Sequence, residues 1–546
     1  MKQSFFLILI TFCFFGCTSK SSKVAKTTTE VQPFVWEAAN VYFMLTDRFN
    51  NGNSENDLNF DRTKKPAKLR GFMGGDMAGI TQKIKEGYFD DLGVNAIWFS
   101  PVLEQIHDST DEGTGNTYAF HGYWTKDWTQ FDPNFGTEAD FKELIETAHK
   151  HGIRILMDVV MNHTGPVTEK DPVWDVNWVR TEPGCSYQNY DTAVSCTLVE
   201  NLPDILTNNS EMVSLPTPLV EKWKAEGRYD VEIKELDAFF QKTGLERSPK
   251  NYIIKWLTDY VREYGVDGYR VDTVKHVEES AWNELNKQAQ IAFSAWKTAN
   301  PEAVLDDANF FMLGELYGYG IDSKRFYDFG DKKVDYYANG FDNLINFQFK
   351  YDAKGNYETL FSKYDKILHT DLKGKSVMNY ISSHDDGDPF DKARTKTYES
   401  ATKLLLTPGI SQIYYGDETK RSLIIEGTNG DATLRSFMNW DMMNDAETKA
   451  LLSHWQKLGQ FRKAHPAIGA GTHSMISESP YVFKRNYNTD KVVVGLDLPK
   501  GKKEINVGKQ FEDGTTITDH YSGKTATIEN GKVTIDSQFS IVLLHQ

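Results

Sequence analysis

The residues with chemistry to offer fall in four short segments. The first is Asp158-Val159-Val160-Met161-Asn162-His163 and the second Gly268-Tyr269-Arg270-Val271-Asp272-Thr273-Val274-Lys275-His276. Gly314-Glu315-Leu316 and Ser382-Ser383-His384-Asp385 complete the set. A carboxyl group works as a nucleophile when ionised and as a general acid when protonated, and its surroundings decide which. Arg270 stands two residues before Asp272, so on a strand both side chains share a face, and the guanidinium can keep that carboxyl charged. Any one segment alone could cap a helix or pair with an arginine. Four together, each closing an apolar run, point to one polar site.

Such convergence needs a scaffold that brings strand ends together. Apolar, β-branched or aromatic runs occur at 41–46, 96–101, 154–160, 268–272, 311–315, 344–349, 377–382 and 410–415. Helical patterns lie between them: Phe141, Leu144, Ile145 and Ala148 repeat at i, i+3, i+4, i+7, as do Ile253, Leu257, Val261 and Tyr264. Continuous apolar strands alternating with helices indicate a parallel sheet buried on both faces. Eight of them predict an α/β fold, a closed (β/α)8 TIM barrel over 36–465.

Two stretches break this rhythm. Residues 164–250 are rich in Pro, Asn, Gly and Trp without clear periodicity, and read as a subdomain inserted after the third strand. From 466 to 546 only short strands recur, at 481–485, 491–496, 515–519 and 532–535, punctuated by Gly and Asn. They predict a C-terminal antiparallel β-sandwich domain.

Across 546 residues the formal net charge is −16, with no basic stripe, which argues against nucleic acid as a partner. Met1-Lys2 followed by an apolar stretch at 5–16, short for a membrane span, reads as an export signal over 1–17. Phe14-Phe15-Gly16-Cys17 resembles a lipoprotein signal that would lipidate Cys17; a plain secretory signal, or a cut near Ala25, is the alternative. Residues 18–35 would then be a flexible tether. The expected location is exported, as a periplasmic or cell-surface lipoprotein of a bacterium, with membrane contact only through that anchor and the chain a monomer. Of four cysteines, Cys13 and Cys17 lie in the signal, leaving Cys185 and Cys196 as an expected loop disulfide.

The four segments resemble the signature regions of the α-amylase family of glycoside hydrolases. Leu202-Pro203-Asp204-Ile205 is similar to that family's fifth region, and Ala96-Ile97-Trp98-Phe99-Ser100-Pro101 and Tyr415-Gly416-Asp417-Glu418 to its second- and eighth-strand motifs. The stretch from Arg262 through His276, with His465-Pro466-Ala467-Ile468-Gly469, is most similar to the bacterial periplasmic branch. The resemblance implies endo-hydrolysis of α-1,4 bonds in starch and maltodextrins with retention, which needs two carboxyl groups about 5 Å apart. Asp272 would be the nucleophile, Glu315 the acid/base, and Asp385 the group that favours the distorted sugar. His163 and His384 would bind hydroxyls of that sugar, Tyr123 would stack under it with His121 alongside, and Arg270 would support Asp272. Lys275 and His276 resemble the version typical of true α-amylases, whereas Ser383 stands where many members carry Asn.

The resemblance also implies calcium. Asn162, Asp204 and the His276 carbonyl would tie the inserted segment to the barrel, and Asn51, Asn53, Asn56, Asp57, Gly74 and Asp76 would form a second site. Cyclomaltodextrinase, neopullulanase or glucanotransferase activity at the same site is the alternative. A non-catalytic glucan-binding lipoprotein is a weaker one, because every carboxylate of the set is present.

Overall fold

In the computed structural model, which describes residues 33–546, eight strands close into a parallel barrel. They are β1 (Asn40–Met44), β2 (Ala96–Phe99), β3 (Arg154–Val159), β4 (Gly268–Val271), β5 (Phe311–Gly314), β6 (Asn343–Asn346), β7 (Ser376–Tyr380) and β8 (Ile410–Tyr414). Each pairs with its sequence neighbours, and β8 pairs with β1 to complete the ring. Every residue of the eight is buried. That double burial is why they read as unbroken apolar runs rather than as alternating strands. The expected sixth strand is too long: β6 stops at Asn346, and Phe349 already begins the helical turn Phe349–Asp352.

Register sets which residues emerge together. Val271 is level with Val159 on one side and Gly314 on the other. The next residues, Asp272 and Glu315, therefore leave the carboxyl end of the barrel side by side. Helices α1 (Glu138–Lys150) and α4 (Pro249–Tyr264) cover the outside with the predicted apolar stripes. A reciprocal capping box between Thr137 and Asp140 starts α1.

Between β3 and β4 the chain makes a small antiparallel pair, Val179–Arg180 with Asp204–Ile205. It then forms α2 (Thr217–Ala225) and α3 (Tyr229–Thr243). These two helices differ from the aperiodic reading of that stretch. Their buried faces are narrow, Leu219 and Trp223 on one, Leu236, Phe239 and Phe240 on the other, so charged residues dilute the pattern.

The last part of the chain is all β. A six-stranded sheet runs in the order β9 (Thr472–Ser477), β10 (Tyr481–Tyr487), β11 (Asp490–Leu496), β16 (Val542–His545), β13 (Thr516–Asp519), β14 (Lys524–Thr527). The pair β12 (Gly501–Asn506) and β15 (Lys532–Ser537) completes the sandwich. Val482, Val493, Ile517 and Val542 from the first sheet share a core with Ile505, Val533 and Ile535 from the second. A buried arginine of β10 fastens this unit to the barrel: Arg485 donates to the Leu406 carbonyl, and also to that of Ile468. Arg462, on the helix Ala446–Ala464 that precedes the unit, donates to the carbonyls of Leu405, Thr407 and Gly409. Three of these carbonyls, Leu405, Leu406 and Thr407, lie at the C-terminal end of the helix Thr397–Leu406, where the helix dipole favours cations.

Among the described residues no helix is long and apolar enough to cross a membrane. The expected signal, the lipid attachment at Cys17 and all of the tether before residue 33 lie outside the described residues.

Candidate active site

At the carboxyl end of the barrel a cleft of about 570 Å³ is lined by Tyr123, His163, Asp272, Lys275, His276, Glu315, His384 and Asp385, among others. Sequence positions more than 260 residues apart are thus brought together, as strand-end residues of a barrel must be. Arg270 lies just beneath. Its Nη1 donates to Asp272 Oδ1 at 2.7 Å and to Asp158 Oδ1 at 2.9 Å. The other Asp158 oxygen accepts from Trp98 Nε1 at 2.9 Å and from the Tyr123 hydroxyl at 2.8 Å. Asp158 therefore fixes both the guanidinium behind Asp272 and the tyrosine ring in the cleft. Tyr123 in turn stacks against His384, with ring centroids 5.4 Å apart.

The three carboxyl groups sit in different fields. Burial pushes Glu315 up to about 8; Arg270 opposes this and the carboxylates of Asp272 and Asp385 reinforce it. Glu315 Oε2 accepts one hydrogen bond, from Thr273 N–H at 2.9 Å. Asp272 is held in the ion pair with Arg270. Burial opposes the Arg270 charge too, but Asp158, Asp272 and Glu315 outweigh it and keep the group cationic. For Asp385 burial is also the largest influence and raises it, yet His384, Arg435, Arg270 and the Ser383 hydroxyl together hold it below the usual range. Its side chain faces the open cleft, 39% exposed. The result is one carboxyl kept protonated near neutrality beside one paired to a guanidinium, the division of labour that acid-assisted displacement needs.

Burial lowers His384 and His276 to about 4, so both offer neutral imidazoles near pH 7. His163 faces the Tyr123 carbonyl through Nε2 at 3.0 Å. Lys275 is held between the rings of Tyr187 and Tyr317, 5.1 and 5.0 Å from their centroids. His121 is one layer back from the cleft: its Nδ1 accepts from Tyr123 N–H at 3.1 Å and its ring lies parallel to that tyrosine. Trp124, Tyr187, Leu198, Tyr317 and Arg435 also line the cleft and were not found from sequence, while Leu202 brings in the edge of the Leu202–Ile205 segment. Tyr187 and Tyr317 are large exposed aromatics, a signal visible only once exposure is known. Arg435, whose Nε donates to the His384 carbonyl at 2.9 Å, is linked to the site only by the fold.

The first expected calcium set converges. One terminal atom of the Asn162 amide lies 3.2 Å from Asp204 Oδ1 and 3.0 Å from the His276 carbonyl oxygen. All three residues are buried. Burial pushes Asp204 up to about 8 despite Arg180, whose Nε is 2.7 Å away, so the carboxylate is short of positive charge. With the amide oxygen turned inward, a carboxylate, an amide and a main-chain carbonyl face one another, the hard oxygen donors that suit Ca2+. The residues fit the ion. Main-chain bonds from Ile205 N–H to Asn162 O at 2.7 Å and from Thr164 N–H to Pro203 O at 3.0 Å clip the two segments together at this point.

The second set is arranged differently. Asp76 caps the helix Met77–Lys85, and its two oxygens already accept from Gly52, Gly79 and Asn53 N–H and from Asn56 Nδ2. Asn51 Nδ2 donates to Asp57 Oδ1 at 2.8 Å, and Asn53 Oδ1 accepts from Glu55 N–H. Gly74 has φ +88°, and a Cβ there would strike both Asn51 and Asp57. The loop is thus drawn together around Asp76, while the Asn56 amide oxygen is buried without a hydrogen-bond partner.

Cys185 and Cys196 form the expected disulfide. It lies against His276, whose Nδ1 meets the Ala193 carbonyl at 2.8 Å inside the same loop. Cys185→Ser with Cys196→Ser is expected to lower stability by roughly 2–3 kcal/mol for a loop of this size. Thermal melting of the double variant against the oxidised parent checks this, and equal melting temperatures would contradict it.

Comparison with known proteins agrees over most of the chain. The family model "Alpha amylase, catalytic domain" matches residues 43–452. A periplasmic alpha-amylase of Escherichia coli strain K12 is 37% identical over 529 residues, covering 86% of this chain and 73% of that protein. A cyclomaltodextrin glucanotransferase of Geobacillus stearothermophilus is 28% identical over 467 residues; the match covers 84% of this chain but only 59% of that longer protein. Among solved structures an Anoxybacillus alpha-amylase superposes with a TM-score of 0.64 at 24% identity, covering 94% of this chain and 99% of its own.

Proposed function

The chain belongs to the α-amylase family of glycoside hydrolases, and from that premise we propose that it is an exported α-amylase cleaving internal α-1,4 bonds of starch-like glucans with retention. What carries the proposal is the contrast within one cleft: Glu315 kept protonated by burial beside Asp272 paired to Arg270. In the first step Asp272 attacks the anomeric carbon while Glu315 gives its proton to the departing glycosidic oxygen. The sugar is then esterified to Asp272 with inverted configuration. In the second step Glu315, now the base, takes a proton from water as that water displaces Asp272, and the second inversion restores the α-configuration.

Asp385, His163 and His384 would hold the hydroxyls of the reacting glucose. Tyr123 would lie against its face, with His121 setting the tyrosine from behind. Lys275 and the ring of His276 would meet the next sugar along. Export is supported by the disulfide and by the periplasmic relative, and lipid attachment at Cys17 belongs to the same proposal. We take 36–465 as the catalytic unit with 164–250 inserted, and 466–546 as a separate β-domain.

Calcium, held by Asn162, Asp204 and the His276 carbonyl, would supply a fixed double positive charge that joins the inserted segment to the barrel beside His163. Excess chelator is expected to lower stability by about 2–3 kcal/mol, the linkage for free ion near a hundredfold above its Kd. Calcium should restore it, and Asp204→Asn should abolish the effect. A melting temperature indifferent to chelator would remove the ion from the account.

The glucanotransferase relatives favour one second reading, in which a sugar hydroxyl replaces water in the second step. Starch viscosity followed against new reducing ends separates the two. Viscosity falling far ahead of reducing ends, with maltodextrins of every short length, supports endo-hydrolysis. Cyclic or lengthened products would move the chain to transfer, and maltose alone would move it to exo-cleavage.

A further inference from the structure

The backbone between the two central carboxylates is strained. Thr273, directly after Asp272, has φ 49° and ψ 39°. That left-handed region is ordinary for glycine but disfavoured for a β-branched residue, because the branched Cβ crowds the following carbonyl. The side chain offers no reason for the choice, since Thr273 Oγ1 is buried without a partner. The N–H groups do. Asp272 N–H donates to the Val159 carbonyl at 3.0 Å, in line with the barrel. The next two N–H groups both turn to Glu315: Thr273 N–H to its side-chain Oε2 at 2.9 Å and Val274 N–H to its main-chain carbonyl at 3.0 Å. Glu315 N–H closes the ring on the Val271 carbonyl at 2.8 Å. Two successive N–H groups thus hold one residue, the first by its side chain and the second by its main chain, and the left-handed turn at Thr273 is what aims them both.

Resting on the reading of Glu315 as the acid, we propose that the Asp272–Thr273 peptide positions it, its N–H occupying Oε2 so that Oε1 is the oxygen that carries and delivers the proton. The peptide that does this is the one leaving the nucleophile, so the two carboxyl groups share one rigid piece of backbone. An accepted N–H stabilises the anion more than the acid. It therefore also restrains the rise that burial imposes on Glu315, which the base half of the cycle needs. The other groups facing Glu315 are Arg270 from β4, Asp272 and Lys275 from the turn after it, Asp385 and Tyr380 from β7 and its loop, and Tyr317 and Tyr327 from the segment after β5. None depends on the Thr273 N–H for its place.

Replacing that one amide by an ester, with the α-hydroxy analogue of threonine at 273 in the full chain, removes the donor and keeps every side chain. The basic limb of the kcat/KM profile on maltoheptaose is expected to move to higher pH, with kcat at neutral pH falling roughly tenfold. Turnover of α-maltosyl fluoride, whose leaving group needs no proton, should change far less. If the ester chain does not fold, the Thr273 N–H is followed instead by NMR in the parent chain carrying 15N-threonine: its shift should titrate together with the basic limb, and a Thr273 N–H indifferent to that limb overturns the proposal. A basic limb superimposable on that of the parent overturns the proposal. Failure of the underlying reading looks different, because Glu315→Gln would then leave the basic limb of the parent in place.

Discussion

Asp272→Asn should lose hydrolysis of starch and maltodextrins by on the order of 10^4-fold or more, with the melting temperature little changed. The amide has the shape of the carboxylate but cannot form the glycosyl ester. It can still accept from Arg270, which bridges residues 272 and 158 at 2.7 and 2.9 Å, but it no longer supplies the charge of that pair. The barrel itself should be indifferent, because Asp272 lies one residue past the end of β4. Initial rates on maltoheptaose with purified parent and variant, alongside thermal melts, give the answer. Activity within tenfold of the parent would mean that the nucleophile is another group.

Glu315→Gln should cost 10^2- to 10^4-fold on the same substrate, the usual range for a positioned general acid. The loss should depend on the leaving group: large for a sugar, whose oxygen must be protonated, and small for fluoride in the first step. The sign of the pH effect follows from burial. A carboxyl raised to about 8 stays protonated through neutrality, so kcat/KM of the parent falls as pH climbs through that value. In Glu315→Gln nothing titrates there and that limb should vanish. A uniform loss on both substrates, or a surviving basic limb, would place the proton donor elsewhere.

How far the sequence reaches depends on what each residue must bury. The eight barrel strands were legible because both of their faces are covered, which leaves runs of four to six residues that are mostly apolar. The strand-end carboxylates were legible because a polar side chain closing such a run needs a reason. Strands β9 and β14 were not, since their mostly exposed or half-exposed residues carry no apolar pattern. Within 164–250 the helices α2 and α3 escaped because each buries only a few side chains among many charges. Asp158 stood in a recognised segment, yet its place between Arg270, Trp98 and Tyr123 is a matter of three strands meeting. The second expected calcium loop is folded together as the spacing of its Asn, Gly and Asp suggests, with the Asn56 amide oxygen buried and without a partner.

The most direct test of the central claim is proton NMR of the reducing ends released from maltoheptaose in the first minutes, before mutarotation mixes the anomers. Two displacements at Asp272 and Glu315 predict that the new ends appear as the α-anomer and decay toward the equilibrium mixture. Ends that appear first as the β-anomer would mean a single displacement by water, and would contradict the assignment of Asp272 as nucleophile.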